Sequence, residues 1–202
     1  MRIFVLLVSG MLAGCASTGS KVYKPHSSRE KKAFVRADRS VTFADVQTNF
    51  QTYLETEVAW AGVIRGIEFK ETERTIQVAF DIDYHDFDWR NYGGGKPYRL
   101  AAENGGRFKA GWTVDKPTRI SYLKTLAKPG YMILVYGKPW RRDDTAVLLA
   151  ATAVRLVSTG DYELLPEEGM EHQTELLRES EGAELQSDTV FGKNKNRPVQ
   201  NL

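Results

Sequence analysis

The densest group of side chains able to do chemistry is the stretch DIDYHDFDW at residues 81–89, which holds four aspartates and one histidine. Carboxylates and an imidazole act as general acids and bases, and they also bind metal ions. Asp81, Asp83, His85 and Asp86 are therefore the residues to consider for a hydrolytic site.

A metal site is not favoured by the pattern. A calcium loop has Asp or Asn at its fifth position and Gly at its sixth, whereas His85 and Asp86 stand there. Zinc sites commonly use three or four Cys and His ligands, and residues 41–165 contain one histidine and no cysteine. We therefore predict no metal and no cofactor.

The element that carries this stretch explains most of its polarity. Residues 74–84 (RTIQVAFDIDY) alternate with a period of two, which is typical of a β-strand with one face in the core. Asp81, Asp83 and His85 fall on the polar face, where successive side chains are roughly 6.6–7 Å apart. This pattern indicates a solvated strand end, and we assign no catalytic residue to it. The other face comprises Ile76, Val78, Phe80, Ile82 and Tyr84.

Aromatic residues around the glycine-rich segment GGGKP (93–97) suggest a binding loop. Exposed aromatics on a barrel loop often contact a ligand or a partner protein, although tryptophans are as often part of a core. GGGKP is not a phosphate loop, because Pro97 stands where a hydroxyl is required. The candidate ligand or partner loop comprises Tyr84, His85, Phe87, Trp89 and Tyr92.

Strand patterns dominate the rest of residues 41–165. Short helices are predicted within 43–57 and 116–130, and Gly62 and Gly66 inside the first strand indicate a bulge or bend. The chain is therefore predicted to be mainly β, a small OB-like β-barrel of five to six strands with one or two short helices. The alternative is an open α+β sandwich. The predicted strands are 57–70, 74–84, 105–112, 131–139, 145–157 and 161–165.

The N-terminus is typical of an exported bacterial lipoprotein. Arg2 precedes an apolar run from Ile3 to Leu12, which is too short to cross a hydrocarbon core of about 30 Å as a helix. Residues 12–15 (Leu-Ala-Gly-Cys) are similar to the lipobox of lipoprotein precursors, which implies cleavage before Cys15 and acylation of its sulfur and amine with chains such as palmitate. The alternative is an ordinary signal peptide followed by a chance cysteine.

Cys15 is the only cysteine of the chain, so it forms no internal disulfide. Several acyl chains, at about 0.8 kcal/mol per buried CH₂, would anchor the protein stably in a membrane. Ala16 stands where bacterial sorting signals for the inner membrane have Asp. The resemblance to that sorting pattern favours a lipid anchor on the periplasmic face of the outer membrane of a Gram-negative bacterium.

Composition predicts four parts of the chain. Residues 1–14 form the lipoprotein signal peptide, and residues 15–40, which are polar and basic, form a lipidated flexible tether. Residues 41–165 form the β-barrel domain, and residues 166–202 a mostly disordered C-terminal tail. The net charge of +2 for the whole chain gives no reason to expect binding to nucleic acid.

Three segments resemble the starvation-inducible outer-membrane lipoprotein family over about residues 12–165. They are FADVQTNFQTYLETEVAWAGVI (with Val58, Trp60, Gly62 and Ile64), GGRFKAGW (with Gly106, Arg107 and Phe108) and YMILVYGKP. The resemblance implies an OB-like, lipid-anchored domain in the cell envelope with no catalytic residues to transfer. The predicted function is therefore non-enzymatic binding or scaffolding, with a stress-related role. The alternatives are a periplasmic hydrolase that acts on cell-wall glycan or lipid, and a subunit of an envelope assembly complex with a protein partner.

Replacing Cys15 with Ser is expected to remove the lipid anchor, because the thioether needs the cysteine sulfur. The protein should then leave the detergent phase in a Triton X-114 partition of whole cells. An Ala16→Asp variant is the matched control, since it keeps the lipid and should move from the outer to the inner membrane fraction. Detergent partition of the Cys15→Ser form equal to that of the natural chain would contradict lipidation.

Overall fold

A computed structural model describes residues 23–90, 95–143 and 146–166. The predicted signal peptide, Cys15, Tyr92 and the tail beyond Pro166 lie outside the described residues. The elements in chain order are α1 (Ser28–Arg36), α2 (Phe43–Thr48), a 3-10 helix (Phe50–Tyr53), β1 (Val58–Glu71), β2 (Thr75–His85), β3 (Tyr98–Ala101), β4 (Gly106–Asp115), α3 (Ile120–Leu126), β5 (Met132–Arg142), β6 (Val147–Val157) and β7 (Tyr162–Leu165).

Five strands close into a barrel in the order β1-β2-β4-β6-β5. All neighbours are antiparallel except β4 and β6, which run parallel. This arrangement, with α3 between β4 and β5, matches a small OB-like barrel. The predicted fold class is confirmed, and the open sandwich is excluded by the closure of the sheet.

Alternation along β2 places its apolar residues in the barrel interior as predicted. Ile76 and Ile82 are completely buried and Phe80 is 1% exposed. Trp60 from β1 fills the same core and donates its indole N–H to the Val41 carbonyl at 2.8 Å. This cluster inside the barrel is stabilised by burial of apolar surface.

Helix α2 covers one part of this core, in the region where the sequence predicts a short helix or helical turns. Thr42 and Asp45 form a reciprocal capping box that satisfies free N–H groups of its first turn. Phe43 and Val46 point inward and are almost fully buried. From α3, Leu123 contributes to the same core.

A second apolar cluster lies outside the barrel, on the outer faces of β1, β5 and β6. Met132, Leu134 and Tyr136 of β5 are completely buried there, while Ile133 and Val135 of the same strand face the barrel interior. The outer cluster explains why β5 is apolar on both faces. Its covering layer comprises α1, the segment 86–89, and the two-stranded parallel sheet of β3 and β7.

Residues 23–40 correct the prediction of a flexible tether over 15–40. Ser27 caps α1 by accepting from the Glu30 amide at 3.1 Å, and Ala33 is 1% exposed against the barrel. The segment is polar in composition, but Glu30, Ala33 and Ala37 recur on one helical face and bury it. The packed domain therefore includes residues 23–40.

Gly62 and Gly66 have different roles in β1. The pairing of β1 with β2 shifts between Ile64 and Gly66, which confirms the predicted bulge. Gly62 lies where β1 pairs with both β2 and β5. A Cβ there would collide with the Asp83 carbonyl oxygen and lie 2.5 Å from Ile82 Cγ2.

Gly62→Ala is expected to lower the free energy of unfolding by about 1–3 kcal/mol, because the added methyl overpacks a backbone contact that cannot yield without shifting β2. Urea unfolding followed by tryptophan fluorescence measures the change. Gly66→Ala in the same strand is the control, since its Cβ would lie an ordinary 3.7 Å from the nearest atom. Equal losses in the two variants would contradict this role for Gly62.

Candidate functional site

The acidic residues of β2 lie on the outer wall of the barrel as members of ion pairs. Asp83 Oδ1 is 3.3 Å from Arg65 Nη1 on β1, and Asp81 Oδ1 is 3.9 Å from Arg107 Nε on β4. The four side chains are between 21% and 50% exposed. Such exposed pairs contribute little to stability.

His85 ends β2 and Asp86 follows it, and neither has an ion pair with the arginines of this wall within the described residues. The Nδ1 of His85 is buried and lies 2.8 Å from the Ala101 carbonyl oxygen, so the predicted solvated position for this residue is corrected. Asp86 is exposed and accepts a hydrogen bond of 2.6 Å from the Tyr84 hydroxyl. The structure therefore does not bring the hydrolytic candidates together, and no group of three or more metal-binding side chains converges in the described ranges.

Four residues of the predicted loop lie within the described part of the chain, and all four are buried. Their exposed fractions are between 5% and 8% for Tyr84, His85, Phe87 and Trp89. The prediction that these side chains are exposed on a loop is therefore wrong. Tyr84 belongs to the barrel core, and Phe87 and Trp89 pack edge-to-face at 4.7 Å in the outer cluster.

Backbone pairing with β3 holds this segment in place. The Asp88 amide donates to the Arg99 carbonyl at 3.0 Å, and the Ala101 amide donates to the Asp86 carbonyl at 2.9 Å. The Asp88 side chain is 2% exposed and lies 3.5 Å from the Arg99 guanidinium. The segment is thus part of the outer layer, and β3 was not predicted because its four residues carry no clear period.

A cleft of about 890 Å³ lies between the outer layer, α3 and the wall of the barrel. Ligand sites typically have volumes of roughly 300–1,000 Å³. We call it the interlayer cleft. Its lining residues are His26, Ser27, Glu30, Tyr98, Trp112, Tyr122, Thr125, Leu126, Tyr131, Val154, Arg155, Leu156, Val157, Ser158 and Asp161.

The cleft opens where two strands separate. The parallel ladder of β4 and β6 extends only from Phe108–Val147 to Trp112–Ala151. Beyond it, β4 pairs with β2 alone and β6 pairs with β5 alone. Trp112 lies at this fork, beside Tyr122 and Leu126 of α3, which are 58% and 40% exposed.

The polar end of the cleft is organised by Arg155 of β6. Its Nε and Nη2 donate to the two carboxylate oxygens of Glu30 at 2.7 and 2.6 Å. Its Nη1 lies 2.6 Å from Nδ1 of His26, which must accept because a guanidinium only donates, and 3.3 Å from the Tyr98 hydroxyl. Tyr23 completes the cluster by donating its hydroxyl to Glu30.

Arg155 and Glu30 are 9% and 3% exposed, and burial governs the electrostatics of the cluster. Burial alone would raise the pKa of Glu30, but the hydrogen bonds from Arg155, the Tyr23 hydroxyl and the His26 amide outweigh it and hold the pKa below its ordinary 4.5. Burial raises the pKa of the Tyr23 hydroxyl far above its usual range, with Tyr136 and Glu30 adding to the effect. Burial also raises the pKa of Tyr136, so Glu30 is ionised and both tyrosines are neutral at physiological pH.

Several of the polar side chains that line the cleft have hydrogen-bond partners within the chain. Ser27 caps α1, and Ser158 donates to Asp161 at 2.5 Å. Glu30 is engaged on both oxygens by Arg155. The cleft thus combines a fixed polar end with an apolar, partly aromatic rim that remains open to solvent.

Sequence patterns contained signals for this cluster that the strand and tether predictions did not use. Arg155 is the one charge within TAVLLAATAVRLV (145–157), and a charge on an otherwise apolar strand requires a buried partner. Glu30 had the matching signal, since it shares a helical face with Ala33 and Ala37. Nothing in the spacing indicates that these two residues, 125 positions apart, are neighbours.

No protein-family model matches this chain, and no curated protein matches it. Among the described residues, no helix has the length and apolarity to cross a membrane. The class defined by the structure is an OB-like barrel with an added outer layer, and membership of the starvation-inducible lipoprotein family stays a prediction.

Arg155→Met is expected to lower the free energy of unfolding at neutral pH by about 3–5 kcal/mol, because it leaves the Glu30 carboxylate buried without its partner. Urea unfolding of the single variant and of the Glu30→Gln/Arg155→Met double variant measures the effect. The double variant should be more stable than Arg155→Met, since the glutamine side chain carries no charge.

The pH dependence of the free energy of unfolding tests whether the contact between Glu30 and Arg155 is stabilising. The lowered pKa of Glu30 means that its stabilising contribution is present above pH 4.5 and is lost as the pH falls through the folded-state value. The difference in stability between the natural chain and Arg155→Met should therefore narrow below pH 4.5. A difference that is constant from pH 7 to pH 3 would contradict the role given to the pair.

Proposed function

We propose that this chain is a lipid-anchored outer-membrane protein that binds or scaffolds a partner on the periplasmic side of the cell envelope. The lipobox at residues 12–15 and Ala16 support the address. The resemblance to the starvation-inducible lipoprotein family supports a role in the response of the envelope to stress. The partner would be an envelope protein, held while the lipid on Cys15 keeps the domain at the membrane.

The interlayer cleft is the observation that carries the binding function. Its apolar rim presents Tyr122 and Leu126 to solvent, and tyrosine is among the residues enriched at protein interfaces. Its polar end is held by the bidentate contact of Arg155 with Glu30, which fixes the positions of neighbouring donors such as the Tyr98 hydroxyl. A preformed cleft of this kind suits an extended segment of a partner protein, because little ordering is needed on binding.

A hydrolase receives less support from the geometry. Asp81 and Asp83 are in ion pairs on the barrel wall, and the buried His85 lies 2.8 Å from the Ala101 carbonyl oxygen through its Nδ1. Two carboxylates acting on a glycoside must face each other across the substrate, whereas these two follow one another along one strand. We therefore favour binding over catalysis.

Nucleic acid is also a less suitable ligand, although OB-like barrels often bind it on the wall of their second and third strands. On this chain that wall alternates in charge, since Asp81 pairs with Arg107 and Asp83 pairs with Arg65. A nucleic-acid site needs a continuous basic surface to neutralise successive phosphates.

A photo-crosslinking amino acid at Tyr122 is expected to capture a specific envelope protein in living cells, because this position lies on the rim of the cleft. Crosslinked species are identified by mass spectrometry after detergent extraction. Trp140 is the matched control, since it is also 58% exposed but lies in a different groove beside Thr113 and Gln77.

The proposal is supported if one partner is captured from Tyr122 and not from Trp140, and if Leu126→Glu reduces that crosslink at least several-fold. Capture from Trp140 alone would move the binding surface to the other groove. Absence of any specific crosslink from Tyr122 would overturn the assignment of the cleft.

A further inference from the structure

The outward surface of α1 is basic with an exposed apolar residue among the charges. Val35 is 76% exposed, the largest exposure among the large hydrophobic residues of the described chain. Around it lie Lys31, Lys32 and Arg36, and together with Ser28 these residues line one shallow groove along the helix. We call this the α1 surface.

The positive charge of this surface is largely uncompensated. Glu30 is the only acidic residue of α1, and it is buried and paired with Arg155. Arg36 pairs with Glu57 at 2.9 Å, but within residues 23–90, 95–143 and 146–166 no ion pair involves Lys31 or Lys32. The helix therefore presents its lysines to solvent, while its single carboxylate, Glu30, is buried and paired with Arg155.

The position of the α1 surface in the chain places it close to the predicted anchor. The Tyr23 amide donates to the Trp89 carbonyl at 3.1 Å, which attaches this residue to the domain. Tyr23 lies eight positions after Cys15 in the sequence, and a fully extended chain spans at most about 3.3–3.6 Å per residue. A lipid on Cys15 would thus hold the start of the domain within roughly 30 Å of the bilayer.

We propose that the α1 surface docks on an anionic lipid surface, with Val35 at the headgroups and Lys31 and Lys32 against the lipid phosphates. The inference rests on the proposed lipid anchor and adds an orientation to it. One acyl-anchored residue and a neighbouring basic surface act together, because basic side chains near an anionic leaflet add to the affinity supplied by acyl chains. The helix has nine residues, so it lies on the surface and does not span the membrane.

This orientation determines which parts of the domain face the periplasm. Ala33 and Ala37 pack on the outer cluster over β1, β5 and β6, so the membrane lies on that side of the barrel. The wall formed by β2 and β4, which carries Asp81 and Asp83, then faces away from the lipid.

An acidic part of the same chain is a competing occupant. Residues 167–188 contain eight acidic side chains and would also be attracted to the lysines of α1. We favour lipid because the short connection to Cys15 holds the α1 surface at the membrane whatever the tail does. The experiment below separates the two.

The test uses the full lipidated chain reconstituted in vesicles, with Val35→Cys carrying a fluorescent label. The labelled cysteine is unique, because Cys15 is the only native cysteine and its sulfur is acylated. Vesicles of phosphatidylcholine with added phosphatidylglycerol are compared with vesicles of phosphatidylcholine alone. A water-soluble quencher reports exposure of the label, and Gln77→Cys on the exposed face of β2 is the matched label position.

Docking predicts that quenching of the label at position 35 falls several-fold on anionic vesicles but not on neutral ones, while the label at position 77 stays accessible in both. Lys31→Gln/Lys32→Gln should abolish the protection. Lys70→Gln/Lys109→Gln removes the same charge from other exposed strand positions and should leave it intact.

Equal quenching at positions 35 and 77 on anionic vesicles would overturn the proposal. So would protection of position 35 that is equal in neutral vesicles and is lost on truncation after Pro166, because the tail would then cover the α1 surface. Mass spectrometry of the intact protein measures the acylation of Cys15 independently of the label. A chain without acyl mass contradicts the proposed anchor, whereas an acylated chain with a fully exposed label contradicts only the docking.

Discussion

The buried contact between Arg155 and Glu30 is the constraint on which the outer layer of this protein depends. Arg155 is 9% exposed on the outer face of a strand. Burying its guanidinium costs free energy unless a carboxylate pairs with it. Glu30 of α1, 125 positions earlier in the sequence, supplies that carboxylate. Once α1 is held there, Tyr23 and Ala33 cover the outer face of β5, and the segment from Asp86 to Trp89 packs beneath them.

The barrel and its outer layer each bury one face of the strand β5. A strand such as β5, which is apolar on both faces, is stable only if both faces are covered. The barrel interior covers Ile133 and Val135, and the outer layer covers Met132, Leu134 and Tyr136. The segment between β2 and β4, which contains β3, also helps to cover the outer face of β5. It pairs with β7 and places Leu100 and Tyr162 in the outer cluster.

The short parallel ladder between β4 and β6 gives the fold its main concavity. Five residue pairs close the barrel, and the two strands then separate at Trp112. Because α3 lies beside this fork while α1 and β3 bring the polar cluster of Arg155 to the same place, one cleft acquires both an apolar rim and a rigid polar end. An open cleft with a fixed polar end is suited to binding, which is why the cleft carries the proposed function. The basic surface of α1 lies on the same layer, so orientation and binding would depend on the same packed helix.

The sequence by itself determined the elements whose signals are local. The period-two pattern of 74–84 predicted β2 and its buried face, Gly62 and Gly66 indicated an irregular β1, and the series of strand patterns predicted an OB-like barrel. The N-terminal apolar run and Cys15 predict export and lipidation, and these residues lie outside the described part of the chain. Only the tertiary structure decided that residues 23–40 belong to the domain, that His85, Phe87 and Trp89 are buried, and that Arg155 meets Glu30. The physical reason is that alternation and helical period depend on neighbours along the chain, whereas burial of a charge or an aromatic ring depends on which distant segment covers it.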